Sequence, residues 1–298
     1  MEAGPGAPGE PPACDLCGQA AVFLDRFSQR HLCGDHVLLD VEDRVRCTIQ
    51  EYHLIRPGER LAVALSGGKD STALLHLLSK IVPEMGDVTL TAITVDEGIA
   101  GYREATIRVA REMATRFGVE HHLVSFRGIS GATLDDMVAD GRSHPCSLCG
   151  IHRRRALLCA AAGLGATAIA TGHNLDDEAQ TIVMNCLRGD LPGFTRPPAK
   201  DPTGAGIRRI KPLFRVPEKE VALYGMLTGI FHDLPECPYA GTALRSEVRR
   251  MIDRLEYLHP GTLERIVRGQ EDVASLWGRL GASETSLPLT GGRKDRDS

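Results

Sequence analysis

Short apolar runs alternate along the chain with longer stretches whose apolar residues recur at helical spacing. The runs predict four buried strands, Leu61–Leu65, Val88–Asp96, His121–Phe126 and Ala166–Ala170. The helical spacing predicts Ser71–Ile81, Tyr102–Phe117, Ala132–Asp140, Ile151–Ala162 and Asp176–Leu187. This alternation predicts an α/β fold, a parallel sheet flanked by helices, with ligands at the carboxyl ends of the strands.

Helical patterns also precede and follow this region. A helix over residues 38–56 is predicted to connect the N-terminal segment to the main domain, and residues 190–209, rich in Pro, Gly and Arg, are predicted to form a loop. Further helices are predicted at Pro217–Thr228, Leu244–Leu258 and Thr262–Leu280. Residues 1–12 and 281–298 lack an apolar pattern and are expected to be disordered.

The sequence ALSGGKDS occupies residues 64–71, at the turn from the first strand to the first helix. Glycine lets the backbone approach an anion closely, and the N–H groups at the helix N-terminus favour negative charge. The spacing differs from that of the GxxxxGK[ST] loop of common nucleotide hydrolases. It resembles the SGGxDS loop of the ATP pyrophosphatases, which cleave ATP between the α and β phosphates and adenylate an acceptor. We therefore expect a phosphate cradle here rather than a chance Gly-Gly turn.

The composition is that of a soluble globular protein, with 298 residues, 42% of them apolar and 25% charged. The net charge of −4 neither requires nor excludes a nucleic-acid partner, because local clusters of charge matter more than the total. The first residues carry no apolar signal segment, and no apolar run approaches the ~18 residues of a membrane span. We therefore expect a cytoplasmic protein with no membrane partner.

Nine cysteines are present, most of them in short C-x-x-C or C-x-x-H groups, a pattern that favours metal ligation over disulfides. Cys14 and Cys17 form the first pair, and Cys33 and His36 form the second. Two such pairs supply the four ligands of a tetrahedral zinc ion. Residues 13–37 are therefore predicted to form a small structural zinc finger, with a redox C-x-x-C as the alternative.

A second cysteine group consists of Cys146 and Cys149, which precede an Arg-rich helix, and of Cys237 much further along the chain. Two interpretations remain open. The three thiolates could ligate an iron–sulfur cluster and leave one iron open, or one cysteine could carry a persulfide. Three other cysteines at helical positions are expected to pack in the core: Cys47, Cys159 and Cys186.

The segment TGHNLDDE at residues 171–178 places Asp176 and Asp177 at the start of a helix. Helix capping would account for such a pair. A functional interpretation puts one carboxylate on magnesium or on the reacting acceptor, opposite the SGGKDS segment, which is called the ATP loop below. The basic residues that flank these segments predict a phosphate-rich partner. They are Arg142, Arg153–Arg155, Arg188, Arg196, Lys200, Arg208, Arg209, Lys211, Arg245, Arg249, Arg250 and Arg254.

Taken together, the motifs CxxC…CxxH, SGGKDS, CxxCG, TGHNxDDEA and ECPYA resemble the TtuA/NcsA family of tRNA 2-thiouridine synthetases, from Cys14 to about Gly269. The resemblance implies an adenine nucleotide alpha hydrolase-like PP-loop fold over residues 57–280, with ATP and Mg2+ as cofactors. It implies that ATP adenylates the 2-oxygen of a tRNA uridine and that sulfide then displaces AMP.

The same resemblance implies the metal centre, the partners and the site residues. A [4Fe-4S] cluster with one free iron for sulfide would be held by Cys146, Cys149 and Cys237. The sulfur would come from a ubiquitin-like carrier protein or another sulfide donor, and a homodimer is expected. Asp177 matches the family's catalytic aspartate, and Lys69 and Arg153 are expected to act with it. The implied ATP-binding positions are Ala64, Ser66, Gly67, Gly68, Lys69, Asp70, Ser71, Val95, Gly172 and Asp177.

Two departures from the family concern the target uridine. Many members that thiolate the thymine-loop uridine have a second, C-terminal zinc finger, and this chain has no cysteine after Cys237. Those members also tend to have Lys where this chain has Arg153. The segments DEGIxGYR at 96–103 and LRGD at 187–190 resemble the branch that thiolates the wobble uridine. We therefore expect the wobble uridine, with the thymine-loop uridine as the alternative.

Two further classes of protein fit the sequence less well. Another ATP pyrophosphatase, such as a lysidine or amidotransferase-type synthetase, would not need the three cysteines, because nitrogen transfer does not use them. A catalytically silent zinc-bearing RNA-binding protein would not need the intact SGGKDS segment or the Asp pair. The sequence therefore favours an ATP-dependent sulfur transferase.

Overall fold

A computed structural model describes residues 11–141, 144–196, 206–239 and 244–284. The predicted disorder of residues 1–10 and 285–298 lies outside the described residues, as do Arg142, Lys200 and the final alanine of ECPYA. The strands are β1 Phe23–Asp25, β2 Arg30–Leu32, β3 Arg60–Ala64, β4 Thr89–Asp96, β5 Glu120–Ser125, β6 Ala168–Ala170 and β7 Arg208–Ile210. The helices are α1 Gly34–Glu51, α2 Lys69–Ile81, α3 Arg103–Arg116, α4 Phe126–Ser130, α5 Leu134–Val138, α6 Pro145–Gly163, α7 Leu175–Arg188, α8 Leu191–Phe194, α9 Glu218–Leu227, α10 Leu244–Leu258 and α11 Thr262–Glu284.

The main sheet is parallel and has five strands in the order β5-β4-β3-β6-β7. Leu61, Ala62 and Val63 in the central strand β3 are at most 1% exposed. Such a run of buried apolar residues is expected of a strand covered by helices on both faces. The predicted α/β fold with a parallel sheet flanked by helices is confirmed, and the strand order brings the loops after β3, β4 and β6 to one edge.

The fifth strand, β7, falls inside the segment predicted to be a loop. Its three residues include Arg208 and Arg209, so the apolar pattern is too short to indicate a strand. Arg208 reaches Glu59 at 2.6 Å and the carbonyl oxygen of Leu54 at 3.0 Å, which gives its charge a partner at the sheet edge. Tertiary contacts therefore make a strand of a sequence with little strand character.

Two predicted helix boundaries differ from the structure. Helix α6 begins at Pro145 rather than at residue 151, because proline fits the first helical turn and its missing N–H costs nothing there. The C-x-x-C pair of Cys146 and Cys149 is thus helical. At the other end of the chain, α11 continues to Glu284 and takes in residues that were expected to be disordered.

The expectation that three helical cysteines pack in the core is wrong. Cys47, Cys159 and Cys186 are all exposed. Each lies on the outward side of a helix whose opposite side is covered by its neighbours. A helix presents only one stripe to the core, and the apolar character of cysteine does not by itself assign it to that stripe.

The N-terminal segment forms a small unit that continues directly into α1. Strands β1 and β2 pair as an antiparallel hairpin, and Cys33 precedes the first residue of α1. The hairpin loop contacts the C-terminal helices, because Arg26 lies over the ring of Tyr257 at 4.9 Å and Phe27 packs against Gly261. Among the described helices, none is both long and apolar enough to cross a membrane.

Candidate active site

The loop after β3 is held in shape by its own two serines. Ser66 donates its backbone N–H to Ser71 Oγ at 3.1 Å, and the two hydroxyl oxygens lie 2.9 Å apart. Ser71 Oγ also donates to the carbonyl oxygen of Gly68 at 3.0 Å. Gly68 stands at the N-cap of α2 and offers no side chain to the first-turn N–H groups. The helix N-terminus is therefore open to an anion.

Two glycines allow the site's elements to approach each other closely. Gly67 has φ +88°, and a Cβ built on it would lie 2.0 Å from the carbonyl oxygen of Thr106 in α3. A Cβ on Gly172 would lie 2.9 Å from the backbone of Asp70 and Ser71. Only glycine fits either position, so α3 and the loop after β6 close on the SGGKDS segment from two sides.

The lysine of the loop is held between two carboxylates. Lys69 Nζ lies 2.9 Å from Asp70 Oδ2 and 2.7 Å from Glu218 Oε1. Burial opposes the charged ammonium, but the attraction of Asp70 and Glu218 outweighs it and raises the pKa of Lys69. Glu218 is shared with Arg249, whose Nη2 lies 2.7 Å from its other oxygen. Lys69 is therefore a fixed cation at the start of α2.

The Asp pair takes up two different positions at the start of α7. Asp177 and Asn174 form a capping box, in which Asn174 Oδ1 accepts the Asp177 N–H at 3.0 Å. Asp177 also faces Arg245 Nη1 at 3.5 Å, while Asp176 accepts the backbone N–H of Glu218 at 2.6 Å. Capping therefore accounts for part of what Asp177 does, and it orients this carboxylate at the same edge as Lys69.

Burial acts on both carboxylates of the pair. Burial raises the pKa of Asp176 to about 6. Burial also raises the pKa of Asp177, although the nearby Arg245 guanidinium opposes the shift. Asn174 joins the pair to the loop, since its side-chain amide donates to Asp70 Oδ1 at 3.1 Å. The loop after β6 and the ATP loop thus form one hydrogen-bonded assembly.

The second cysteine group converges beside this assembly. Cys146 and Cys149 lie one helical turn apart in α6, and Cys237 packs with Cys149 in one apolar cluster. Cys146 Sγ lies 3.3 Å from the carbonyl oxygen of Tyr239, which holds the Cys237 segment against α6. The structure therefore brings Cys237 next to a cysteine pair that lies much earlier in the chain.

The spacing of these cysteines differs from that of the finger ligands. In the finger, the ligand atoms of Cys14, Cys17, Cys33 and His36 all lie within 4.8 Å of one another, and among the described residues no other group of Cys, His, Asp and Glu is as compact. Cys146, Cys149 and Cys237 are spaced more widely than that. This wider spacing suits a multi-iron cluster better than a single metal ion. Their thiol chemistry and convergence fit a cluster with three protein ligands.

The finger ligands form a compact group. The four predicted zinc ligands Cys14, Cys17, Cys33 and His36 come together, with the Sγ atoms of Cys17 and Cys33 3.7 Å apart and Cys33 Sγ 3.2 Å from His36 Nδ1. Three thiols and an imidazole at this spacing suit tetrahedral zinc. The turn before the hairpin supplies Cys14 and Cys17, Cys33 lies between the hairpin and α1, and His36 lies in the first turn of α1.

A buried carboxylate that the sequence did not single out lies between the loop and the cysteines. Glu97, 2% exposed, is within 2.6 Å of Arg103 Nε and 2.7 Å of Arg153 Nε. Arg153 in turn donates from Nη2 to Cys149 Sγ at 3.2 Å. Glu97 and Glu218 were both missed, since acidic residues in a loop or at a helix start usually face solvent. The DEG turn after β4, at the ligand edge, was the available signal.

Five described members of the predicted basic cluster divide into two groups. Arg245, Arg249 and Lys211 lie at the site, where Lys211 Nζ is 2.7 Å from Glu178. Arg208 instead turns to the opposite edge of the sheet, and Arg250 pairs with Glu247 on the surface. Arg245, Arg249 and Lys211 therefore surround the Asp pair, whereas Arg208 and Arg250 lie elsewhere.

An open cleft of about 480 Å³ adjoins Lys69. Its walls come from the finger hairpin, the start of α9 and the two C-terminal helices. A smaller hollow, lined by Ala64, Val95, Glu97, Arg103 and Arg153, lies directly at the ends of β3 and β4. The predicted positions Ala64 and Val95 therefore lie together beside the loop.

Comparison with known proteins gives matches over most of the chain. The PP-loop domain family matches residues 39–233. A protein of Haloferax volcanii named tRNA 2-thiolation protein NcsA is 38% identical over 292 residues, which cover 93% of this chain and 91% of that protein. The cytoplasmic tRNA 2-thiolation protein 1 of Chlamydomonas reinhardtii is 36% identical over 93% of this chain and 78% of its own length.

A solved structure agrees with these matches. The U34-tRNA thiolase NcsA from Methanococcus maripaludis, solved with its [4Fe-4S] cluster, superposes with a TM-score of 0.79 at 34% sequence identity. The superposition covers 88% of this chain and 87% of that one. The similarity therefore extends over the sheet and the helices that carry the site.

Proposed function

The chain belongs to the PP-loop family of tRNA 2-thiolation proteins, and on that premise we propose that it thiolates the wobble uridine of tRNA with ATP. The observation that carries the proposal is the convergence of the SGGKDS loop, Asp177 and three cysteines at one edge of the sheet. The wobble position is favoured by the similarity to a U34-tRNA thiolase over most of both chains. Thiolation of the thymine-loop uridine is the alternative.

The ATP loop would bind the nucleotide. Its phosphates would lie on the open N-terminus of α2, in contact with Ser66, Gly67, Gly68 and Ser71, while Val95 and Gly172 line the neighbouring surface. Lys69 would leave its carboxylate partners in part to neutralise charge that develops on the α-phosphate. Mg2+ would be held by the phosphates together with a carboxylate of the site, Asp70 being the nearest to the loop lysine.

The reaction has two displacement steps. The 2-oxygen of the uridine attacks the α-phosphorus, and the bond to pyrophosphate breaks. Sulfide then adds to carbon 2, and the bond to the original oxygen breaks, so that AMP leaves with it. Asp177, oriented by its capping box, would contact the reacting uridine, and Arg153 would stabilise negative charge at the sulfur side. Helix α3 and the loop after β6 pack closely against the ATP loop, and this close packing would keep water from the adenylate.

The metal centres follow from the donor sets. Cys146, Cys149 and Cys237 would hold a [4Fe-4S] cluster whose fourth iron, without a protein ligand, supplies a binding position for exogenous sulfide. Cys14, Cys17, Cys33 and His36 would hold structural zinc. The proposed domains are the finger at 13–37, the connecting helix at 38–56 and the PP-loop domain at 57–280. A cytoplasmic location agrees with the name of the Chlamydomonas relative.

The proposed partners are tRNA and a sulfur source. The exposed basic residues beside the Asp pair, Arg245 and Arg249, would face the tRNA phosphates. The sulfur would come from a ubiquitin-like carrier protein or from free sulfide. A homodimer stays a prediction, which light scattering of the purified protein would test.

The test uses Asp177→Asn, which preserves the shape of the cap and removes the charge. Asp136→Asn is the matched control, because Asp136 holds the same third helical position in a capping box of α5. Nucleoside mass spectrometry of tRNA incubated with each protein, ATP and sulfide should show 2-thiouridine with the control and not with Asp177→Asn. Equal thiolation by the two variants would refute the role of Asp177.

The cluster is tested separately by anaerobic purification. A brown protein with about four irons per chain is expected. A colourless protein that thiolates tRNA at full rate would refute the cluster and favour a persulfide on one of the three cysteines.

A further inference from the structure

Glu97 lies at the carboxyl end of β4, between the ATP loop and the cysteines. Its side chain is 2% exposed, and both of its oxygens face guanidinium groups, Arg103 at 2.6 Å and Arg153 at 2.7 Å. Leu134 donates its backbone N–H to the Glu97 carbonyl oxygen at 2.7 Å, which fixes the backbone as well. One buried carboxylate therefore serves two arginines that approach from different helices.

Arg103 is held firmly without Glu97. Its guanidinium donates to the carbonyl oxygens of Ser66 and Val95 and to Thr106 Oγ1, the last at 2.7 Å. Its side chain is 5% exposed. Arg103 thus connects Glu97 to the ATP loop, and three neutral acceptors would keep it in place if the carboxylate lost its charge.

Arg153 is held in a different way. Its side chain is 48% exposed, and the acceptors that the structure gives it are Glu97 and the Sγ atom of Cys149 at 3.2 Å. A long side chain at a half-exposed position has considerable rotamer freedom to lose. Its contact with Cys149 therefore depends on Glu97.

We propose that Glu97 is a positioning residue for sulfur transfer, which holds Arg153 against the sulfur of Cys149 and is itself braced by Arg103 on the ATP loop. This inference rests on the proposed function, because it concerns the cysteine group that would hold the cluster. Hydrogen bonds to ligating sulfurs stabilise and tune such centres. Glu97 gives the cysteine side of the site a rigid attachment to the nucleotide side.

The substitution Glu97→Gln distinguishes the two arginines. Glutamine would keep the shape of the side chain and one acceptor oxygen, but its amide group would point N–H donors at the other guanidinium. Arg103, anchored by its other acceptors, would retain the oxygen. Arg153 would then lose its carboxylate partner and move into solvent, away from Cys149.

The matched control is Glu59→Gln. Glu59 is also buried and paired with an arginine, Arg208 at 2.6 Å, but it lies at the amino-terminal edge of the sheet. Both variants remove a buried carboxylate from an arginine, so a general loss of stability should affect them alike. Thermal unfolding of both proteins measures that shared effect.

The experiment measures cluster loss and kinetics on the full chain, reconstituted without oxygen. Under a chelator challenge followed by visible absorbance, Glu97→Gln should lose its cluster at least about threefold faster than wild type and Glu59→Gln. Its kcat for thiolation should fall about tenfold, while its KM for ATP stays within about twofold, because Arg103 still braces the loop. A KM that rises as much as kcat falls would mean that Glu97 only shapes the ATP loop, and would overturn the proposal.

A double-mutant cycle with Arg153→Gln identifies the route of the effect. If Glu97 acts through Arg153, then Glu97→Gln should add little to the rate of cluster loss in the Arg153→Gln background. An undiminished effect there, or cluster loss at the wild-type rate in the single variant, would refute the inference. A wild-type protein that holds no iron and thiolates nothing would instead refute the proposed function.

Discussion

The substitution Gly67→Ala tests the geometry of the ATP loop most directly. Gly67 has φ +88°, and an added Cβ would lie 2.0 Å from the carbonyl oxygen of Thr106. A left-handed conformation costs a residue other than glycine about 1–3 kcal/mol. The overlap adds about 1–3 kcal/mol, because the loop or α3 must move by more than about 1 Å to relieve it. The expected loss in the free energy of unfolding is therefore about 2–6 kcal/mol.

Two other glycines separate these contributions. Gly58 has φ +73° with nothing within 4 Å of an added Cβ, so Gly58→Ala should show the conformational cost alone, about 1 kcal/mol. Gly68 has φ −75°, and its nearest neighbour would be Ser66 Oγ at 3.5 Å. Gly68→Ala should therefore leave stability unchanged within about 0.5 kcal/mol.

Urea unfolding followed by circular dichroism gives the three free energies, and titration calorimetry with ATP and Mg2+ gives binding. Gly67→Ala should lose both stability and ATP binding, because α3 can no longer close on the loop. The reasoning would be refuted if Gly67→Ala were as stable as Gly58→Ala, since the close approach of α3 would then carry no energetic weight.

Three further outcomes can be measured in the same protein. Lys211→Met should cost about 3 kcal/mol in urea unfolding, because it leaves the buried Glu178 without its cation, and adding Glu178→Gln should restore most of that loss. Asp176→Asn should stabilise the protein by about 2 kcal/mol at pH 7, because burial raises the pKa of Asp176 to about 6 and the ionised carboxylate therefore destabilises the folded protein above that pH. This penalty shrinks as the pH falls from 6 toward 4. Below pH 4, wild type and variant should have the same free energy of unfolding. A protein equally stabilised at pH 4 would contradict this account. Elemental analysis should find less than one zinc ion per chain in Cys17→Ser, which removes a finger ligand. Cys47 is exposed and outside the finger, so Cys47→Ser should keep one zinc ion per chain.

The fold was predictable where apolar periodicity and turn chemistry agree. Strand β3, the SGGKDS turn and helix α2 appear in the sequence as an apolar run, two glycines and a helical stripe, and all three are confirmed. Strand β7 was not predictable, because two of its three residues are arginines, and the charge of Arg208 finds its partner in Glu59, far away in the sequence. Tertiary contacts stabilise this strand, so its local sequence propensity does not predict it.

The candidate site divides in the same way. The grouping of the four finger residues and the position of the loop were predictable, because metal ligands and phosphate loops need fixed residue types at fixed spacing. The ion pairs of Glu97 and Glu218 join residues on different elements, whose meeting is decided by strand order. No spacing in the sequence predicts that Glu97, after β4, forms an ion pair with Arg153 of α6. The exposed positions of Cys159 and Cys186 were missed because hydrophobicity alone does not assign a residue to a face of a helix.

The contact between the finger hairpin and the C-terminal helices has a consequence for the order in which the molecule is assembled. Arg26 of the hairpin loop lies over the ring of Tyr257, and Phe27 packs on Gly261. On the ribosome, the four ligands of the proposed zinc site are complete after 36 residues. Its docking surface is synthesised last. The wall that the finger shares with α10 and α11 beside Lys69 can therefore close only after nearly the whole chain has emerged.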